Sequence, residues 1–478
     1  MRDKNIVVKL LNLITIIILY YVSGKNTLFM YASTICLYNV YLSCFQHITI
    51  KEILKKYNYH YSKLKILKYV SINIIIICLL FLISSILISD AINIFLKIEN
   101  TFLPYLIMSL SIITEPLIKI LLEYLQSYNK PKLSNSLLNL YYIIEFILLI
   151  LISIITIRII KMPIYISVSL LYLSKIISFV IISVITYLNI KKENIKYIKV
   201  REEKQINYKN EIKEILKNNN HKSIINVVKN SYYYISLIIL YAILESKYSY
   251  SITTIEKDLT FLYLYGLTFI NFVIDIIKNT SKSNKSDSVI NYIYIIFEKI
   301  ITITIIISIT SPLICKIIFN NSENSMYLMM LSFLSIFIVL YNTTYEYIKS
   351  KKIIYTSLIL GIISKLILTI PLFNSFYRMG YNLIYGDIIS TIIGTSISIA
   401  INYVYIKIKN KNEKTFEKIL GTLYESILLC IILVIFQFIV PITKTSYIKS
   451  ILILMLYISI SVMFIKLNIR LKKKQKRG

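Results

Sequence analysis

Apolar blocks of roughly 17–28 residues, separated by short polar stretches, run through the whole chain and restrict it more than any other feature. A helix rises about 1.5 Å per residue, so a block of this length crosses the hydrocarbon core of a bilayer, about 30 Å thick. A transmembrane barrel needs weakly alternating segments of about ten residues, and the blocks do not alternate. Hydrophobic residues make up 56% of the 478 and charged residues 16%. A soluble domain carries about 45–50% and about 25%, so a single soluble globular domain is excluded. With only 8 Gly and 7 Pro, collagen-like and linker-rich classes are excluded as well.

Fourteen blocks are expected as spans, near 6–22, 27–47, 69–89, 101–126, 136–157, 163–190, 223–246, 259–277, 289–315, 325–348, 353–375, 382–406, 421–440 and 446–465. The first is read as a retained span, with no cleavable leader. With the N-terminus in the cytosol, the alternate loops on that side hold 38 of the 54 Lys and Arg, and the opposite loops hold 10. This is the bias of the positive-inside rule, and it places both termini in the cytosol. The same rule accounts for the net charge of +30, so no nucleic-acid partner is expected. The segment 191–222 is read as a charged cytosolic linker, with an amphipathic surface helix as one form it can take. The tail around Lys472–Lys473–Lys474 is read as an orienting cluster that can touch anionic lipid.

The linker divides the first twelve spans six and six, and the halves share short matches. Val7–Val8–Lys9 recurs as Val227–Val228–Lys229. Glu123–Tyr124–Leu125–Gln126–Ser127 recurs as Glu346–Tyr347–Ile348–Lys349–Ser350. Nearly equal intervals at two distant places predict duplicated six-span bundles, and an even span number gives both copies one orientation. The expected fold is an all-α polytopic membrane protein. It has a six-helix lobe over 1–190, the linker 191–222 and a second lobe over 223–407. The lobes are related by a pseudo-twofold along the membrane normal, and 408–478 adds two helices and a basic tail.

An ionised group at a span centre costs about 2.5–3.5 kcal/mol on insertion scales, so each calls for a partner or a wet cavity. Glu115, Lys119 and Glu123 stand at i, i+4, i+8 and are expected to neutralise one another. Glu298 and Lys299 adjoin and are expected to point apart. Lys175 and Lys365 each fall about twelve residues into a span, near mid-bilayer, with no acid at i±3 or i±4. They are read as unpaired cations facing another helix or a water-filled interior. Lys9 and Lys229, equivalent under the repeat, are read as flanking the mouth of a central cavity. Two ammonium groups there suit a diphosphate. Pro116 is expected to kink or hinge the fourth span.

Enzyme chemistry finds little support, and no cofactor or metal is expected. His47, His60 and His221 are scattered, the five cysteines (Cys36, Cys44, Cys78, Cys315, Cys430) form no CxxC, and there is no Walker A stretch. Asn320–Asn321–Ser322 is a glycosylation sequon on the side opposite the cytosol.

Fourteen spans, two six-helix lobes and no nucleotide site resemble the polysaccharide-lipid exporter superfamily. Within it, the chain is similar to the family of oligomannosyl dolichol-diphosphate translocation proteins of the endoplasmic reticulum. That family's Arg-Glu-x-x-Arg-Arg after the second span is matched by Lys51–Glu52–Ile53–Leu54–Lys55–Lys56, with Lys for every Arg. Its Glu-Pro in the fourth span is matched by Glu115–Pro116, and its Asn-Gly-x-x-Glu in the tenth by Asn342–Thr343–Thr344–Tyr345–Glu346, without the Gly. The stretch from Asn271 through Asp275 to Lys278–Asn279 stands where the family has Arg, Pro and paired Glu. The run from Lys365 to Phe373, with Gly380 and Gly386, also resembles bacterial lipid II and sporulation-type flippases.

The resemblance implies a monomeric, flippase-like transporter that moves a lipid-linked oligosaccharide across the endoplasmic reticulum membrane by alternating access. Lys9, Lys175, Lys229 and Lys365 are the candidates to hold its diphosphate, and Glu115, Pro116 and Glu346 those for gating or support. The alternatives are a flippase of bacterial type for lipid II or polysaccharide lipid in a plasma membrane, an ion-coupled exporter of drug cations using Asp275 and Asp387, and a non-transporting scaffold for glycosylation enzymes.

Overall fold

A computed structural model describes residues 4–23, 28–45, 49–56, 60–96, 100–128, 130–192, 208–281, 289–320, 322–348, 350–409, 416–440 and 446–475. Every expected span is helical over most of its described residues, and no strand occurs among the described residues. In chain order the helices are α1 (Lys4–Ser23), α2 (Phe29–Ser43), α3 (Lys51–Lys56), α4 (His60–Leu96), α5 (Phe102–Ile112), α6 (Thr114–Gln126), α7 (Pro131–Ser153), α8 (Ile164–Lys192) and α9 (Tyr208–Ser246). They continue with α10 (Ile252–Thr260), α11 (Leu267–Ser281), α12 (Val289–Phe319), α13 (Ser325–Tyr347), α14 (Lys351–Arg378), α15 (Ile384–Lys409), α16 (Phe416–Ile439) and α17 (Tyr447–Gln475). A π-helical turn, Ile154–Ile159, prolongs α7, and another, Phe261–Gly266, joins α10 to α11.

Among the described residues, twelve helical segments are long and apolar enough to cross a membrane. Helix α1 adds a shorter apolar stretch, described over Val8–Ser23, and α2 is described over 15 residues. Helix α2 needs no lipid contact of its own, because most of its residues, from Phe29 through Tyr41, are buried against other helices. Helix α4 is the opposite case: Ile72, Ile76, Leu80, Ile83 and Leu87 stand exposed along it. Exposed apolar area on that scale belongs in lipid rather than water. The chain is a multi-pass, all-helical membrane protein.

Packing divides the chain into two units, Met1–Tyr263 and Leu264–Gly478. Helix α9 packs on α2 and α4, and α10 on α9 and α2. Asn230 donates from Nδ2 to the Asn39 carbonyl at 3.2 Å and to Ser43 Oγ at 2.5 Å. The rings of Phe29 and Tyr241 stack at 5.3 Å. Residues 193–207 of the linker lie outside the described residues. From Tyr208 the chain already runs in α9, continuous with the span, rather than as a separate surface helix.

Pro116 has no N–H to give to Ile112, and the helical hydrogen bonding is interrupted at Ile113, between α5 and α6, where the backbone stays helical at φ −60° and ψ −31°. In the second unit α14 ends on Gly380 at φ +71°. Gly380 N–H reaches the Tyr377 carbonyl at 3.1 Å and Tyr381 N–H the Phe376 carbonyl at 3.0 Å, which is a Schellman cap. The chain then turns back into α15, which lies tightly on α14. A Cβ at Gly394 would stand 2.5 Å from the Gly361 carbonyl oxygen, and one at Gly361 would collide with Ser398 Oγ. Gly394→Ala must push these helices apart and is expected to cost about 1–3 kcal/mol, read as a lower thermal midpoint in detergent. Gly421→Ala is the control, because nothing lies within 4 Å of its Cβ position. Equal midpoints for the two variants would contradict the close crossing.

Candidate functional site

Each unit carries an ion pair inside its spans. In the first, Lys175 of α8 lies between two carboxylates from neighbouring helices. Its Nζ is 2.7 Å from Glu145 Oε1 on α7 and 3.0 Å from Glu115 Oε1 on α6. Tyr38 of α2 donates its hydroxyl to the same Glu115 oxygen at 2.7 Å. The Lys175 ammonium also lies 4.9 Å from the centre of the Tyr38 ring, a cation–π contact. The cluster is walled by Tyr172, whose hydroxyl donates to Thr34 Oγ1 at 3.0 Å, and by Tyr31 packed against Tyr172. Side-chain exposures of 15% for Lys175, 20% for Glu115 and 12% for Glu145 place it largely out of solvent. Two carboxylates face one ammonium, so the ionised cluster has a surplus negative charge.

In the second unit Lys365 of α14 meets Asp387 of α15, Nζ to Oδ1 at 2.8 Å, with side chains only 5% and 7% exposed. Thr369, one turn on, donates to Ser390 Oγ at 3.2 Å across the same pair of helices. Glu145 and Lys365 are separated by the same interval as Lys9 and Lys229, and each stands fourteen residues beyond the first residue of its helix. The fifth–sixth and eleventh–twelfth spans are thus each bridged by an ion pair, with the sign on the first helix reversed.

The reading of Lys175 and Lys365 as unpaired cations is corrected by these contacts. Their acids come from adjacent helices, which a search at i±3 and i±4 cannot find. Glu115 likewise turns across to Lys175 and Tyr38, so its charge is not simply balanced along its own helix by Lys119. Pro116 is its neighbour in the first turn of α6.

Glu123 has a different task. Its Oε2 accepts the backbone N–H of Ile50 at 2.6 Å and of Lys51 at 3.2 Å, so a buried carboxylate of α6 caps the short helix α3. Lys51 and Lys55 of the Lys-Glu-x-x-Lys-Lys match lie on α3; the side chains of Glu52 and Lys56 lie outside the described residues. Close by, Lys63 Nζ donates to the Ser127 carbonyl at 3.1 Å, at the carboxyl end of α6, where a cation complements the helix dipole. Glu123→Ala removes an acceptor from two backbone donors, a loss of about 1–3 kcal/mol. Amide exchange at Ile50 and Lys51 should quicken, and unchanged protection would contradict the cap.

The remaining expected residues are dispersed. Lys9 on α1 and Lys229 on α9 are half-buried in the first unit, and both are engaged by neighbours. Asn342 is half-buried on α13, and Glu346, one turn on, is exposed. Glu123 and Glu346, matched in the sequence repeat, therefore occupy unlike surroundings. Among the described residues no three His, Cys, Asp or Glu side chains converge as a metal site would require.

No protein-family model matches this chain, and no curated protein matches it by sequence. Solved structures do. The lipid II flippase MurJ in an inward closed conformation superposes with a TM-score of 0.63 at 15% identity, over 98% of each chain. An inward-facing multidrug resistance MATE transporter of the MOP superfamily gives 0.58 at 12% identity, over 86% of this chain and all of the other. A MOP superfamily transporter from Pyrococcus furiosus gives 0.51 at 11% identity, over 84% of this chain and 91% of that one. At such identities the likeness is one of fold: this chain has the multi-pass helical fold of the MOP superfamily transporters.

Proposed function

We propose that the protein is a flippase-like transporter that moves a lipid-linked saccharide by alternating access, acting as a monomer. The observation that carries this is the end-to-end likeness to a lipid II flippase, over 98% of this chain. The MATE transporter matches only 86% of it, and what it leaves out is about as long as 408–478 with its two added helices. The motif matches at Lys51–Lys56, Glu115–Pro116 and Asn342–Glu346 favour a polyprenyl diphosphate glycan of the endoplasmic reticulum. The likeness in fold favours lipid II, and both present an anionic diphosphate between sugar and polyprenyl tail. The lobes 1–190 and 223–407 and the cytosolic placing of both termini belong to this proposal.

Of the four lysines, Lys9 and Lys229 are assigned to the diphosphate directly, since they lie towards the expected mouth. Lys175 and Lys365 are held by carboxylates and bear on it only when those pairs open, with Glu115 and Pro116 at the hinge of the fourth span. Purified protein should bind a fluorescent polyprenyl diphosphate about tenfold more tightly than the monophosphate. Lys9→Ala with Lys229→Ala should remove that preference. Equal affinity for both lipids in the unaltered protein would overturn the reading.

The surplus carboxylate at Lys175 favours a second reading, an ion-coupled exporter of organic cations. Such a protein would bind a lipophilic cation in competition with protons and ignore the diphosphate.

A further inference from the structure

The second unit also contains a cavity of about 340 Å³ between α12, α16 and α17, within the size range of small-molecule sites, about 300–1,000 Å³. It touches neither ion pair. Glu298 and Lys299 of α12 both line it, together with Glu425 of α16. These two neighbours thus both border one space. Thr302 and Ser426 add hydroxyls to the wall, and Leu429 and Phe464 add apolar surface.

Two facts about this cavity concern what it can hold. The first is charge. Two carboxylates and one ammonium line one small space, an arrangement that meets a cationic group on the acids and an anionic one on the lysine. The second is the flanking sequence. Lys407, Lys409, Lys411, Lys414 and Lys418 precede the thirteenth span, and Lys466 and Arg470 follow the fourteenth. Basic clusters of this kind draw phosphate to the membrane surface.

An ammonium and a phosphate a few ångströms apart, carried on apolar chains, satisfy both. We propose that this cavity is a site for the head of an aminophospholipid, its ammonium on Glu298 and Glu425 and its phosphate towards Lys299. Thr302 and Ser426 supply further polar contacts, and the chains run along Leu429 and Phe464. A choline head has no N–H to donate to the carboxylates, and a glycerol head brings no positive charge. The site stands apart from the transported lipid and does not depend on which substrate is moved.

The test is native mass spectrometry of the full-length protein released from detergent with phosphatidylethanolamine, phosphatidylcholine or phosphatidylglycerol of identical chains. Phosphatidylethanolamine should be retained preferentially, and Glu298→Gln with Glu425→Gln should weaken it about tenfold while leaving phosphatidylglycerol unchanged. Ser426→Leu, which fills the cavity without altering charge, should also displace it and serves if the double variant does not fold. Equal retention of all three lipids, or unaltered phosphatidylethanolamine binding in the variants, would overturn the proposal. Binding of dodecylamine without phosphatidylethanolamine would do so too, because the site would then select a simple amine.

Discussion

Lys365→Met should lower the thermal midpoint of the solubilised protein by more than Lys175→Met, Gly394→Ala or Glu123→Ala. The substitution keeps the Cβ, which packs 3.1 Å from the Cβ position of Gly394, and most of the side-chain length. What it removes is the ammonium 2.8 Å from Asp387, whose side chain is only 7% exposed. Breaking one half of a buried pair costs about 3–5 kcal/mol, because the remaining charge stays desolvated. Removing both halves is far cheaper, since an apolar pair of similar volume often does as well. Lys365→Met combined with Asp387→Leu should therefore recover most of the loss. If the double variant melted as low as the single, the penalty would come from packing between α14 and α15 and not from the charge.

Lys175→Met should be nearly as damaging and, under the proposed function, should also abolish transport. Glu145 and Glu115 both approach the same ammonium, at 2.7 and 3.0 Å, and without it two carboxylates repel one another in a poorly solvated space. A loss of about 3–5 kcal/mol is expected. Glu145→Gln should be much milder, because Glu115 still holds Lys175 and is itself held by Tyr38. Lys175→Arg keeps the charge and should keep most of the stability. A wild-type midpoint for Lys175→Met, or a Glu145→Gln variant as impaired as Lys175→Met, would show that the three charges do not act as a unit.

The spans were legible in the sequence because membrane thickness sets their length directly, and Pro116 was legible because a missing N–H has one local consequence. Helix α2 was legible as apolar, but its burial was not, since hydropathy does not distinguish a lipid-facing helix from one enclosed by others. The partners of Lys175 and Lys365 were hidden for a related reason. Periodicity places residues on one helix face, whereas Glu145, Glu115 and Asp387 sit on adjacent helices, many turns away along the chain. Glu123 looked like part of a charge ladder on its own helix, because no sequence rule points from it to the backbone of Ile50 and Lys51. The division at Tyr263 was equally out of reach, since it depends on α9 packing against α2 rather than on the charge of the segment before it.

The proposed transport of a lipid-linked anion can be measured directly by reconstituting the protein in liposomes that carry a fluorescent polyprenyl diphosphate saccharide. Dithionite added outside quenches only outward-facing label. With a working flippase nearly all the label should be lost, and Lys175→Met should protect the inner half as protein-free vesicles do. Protection of the inner half by the unaltered protein, alongside protein-dependent movement of an organic cation in the same vesicles, would contradict lipid transport and establish the exporter instead.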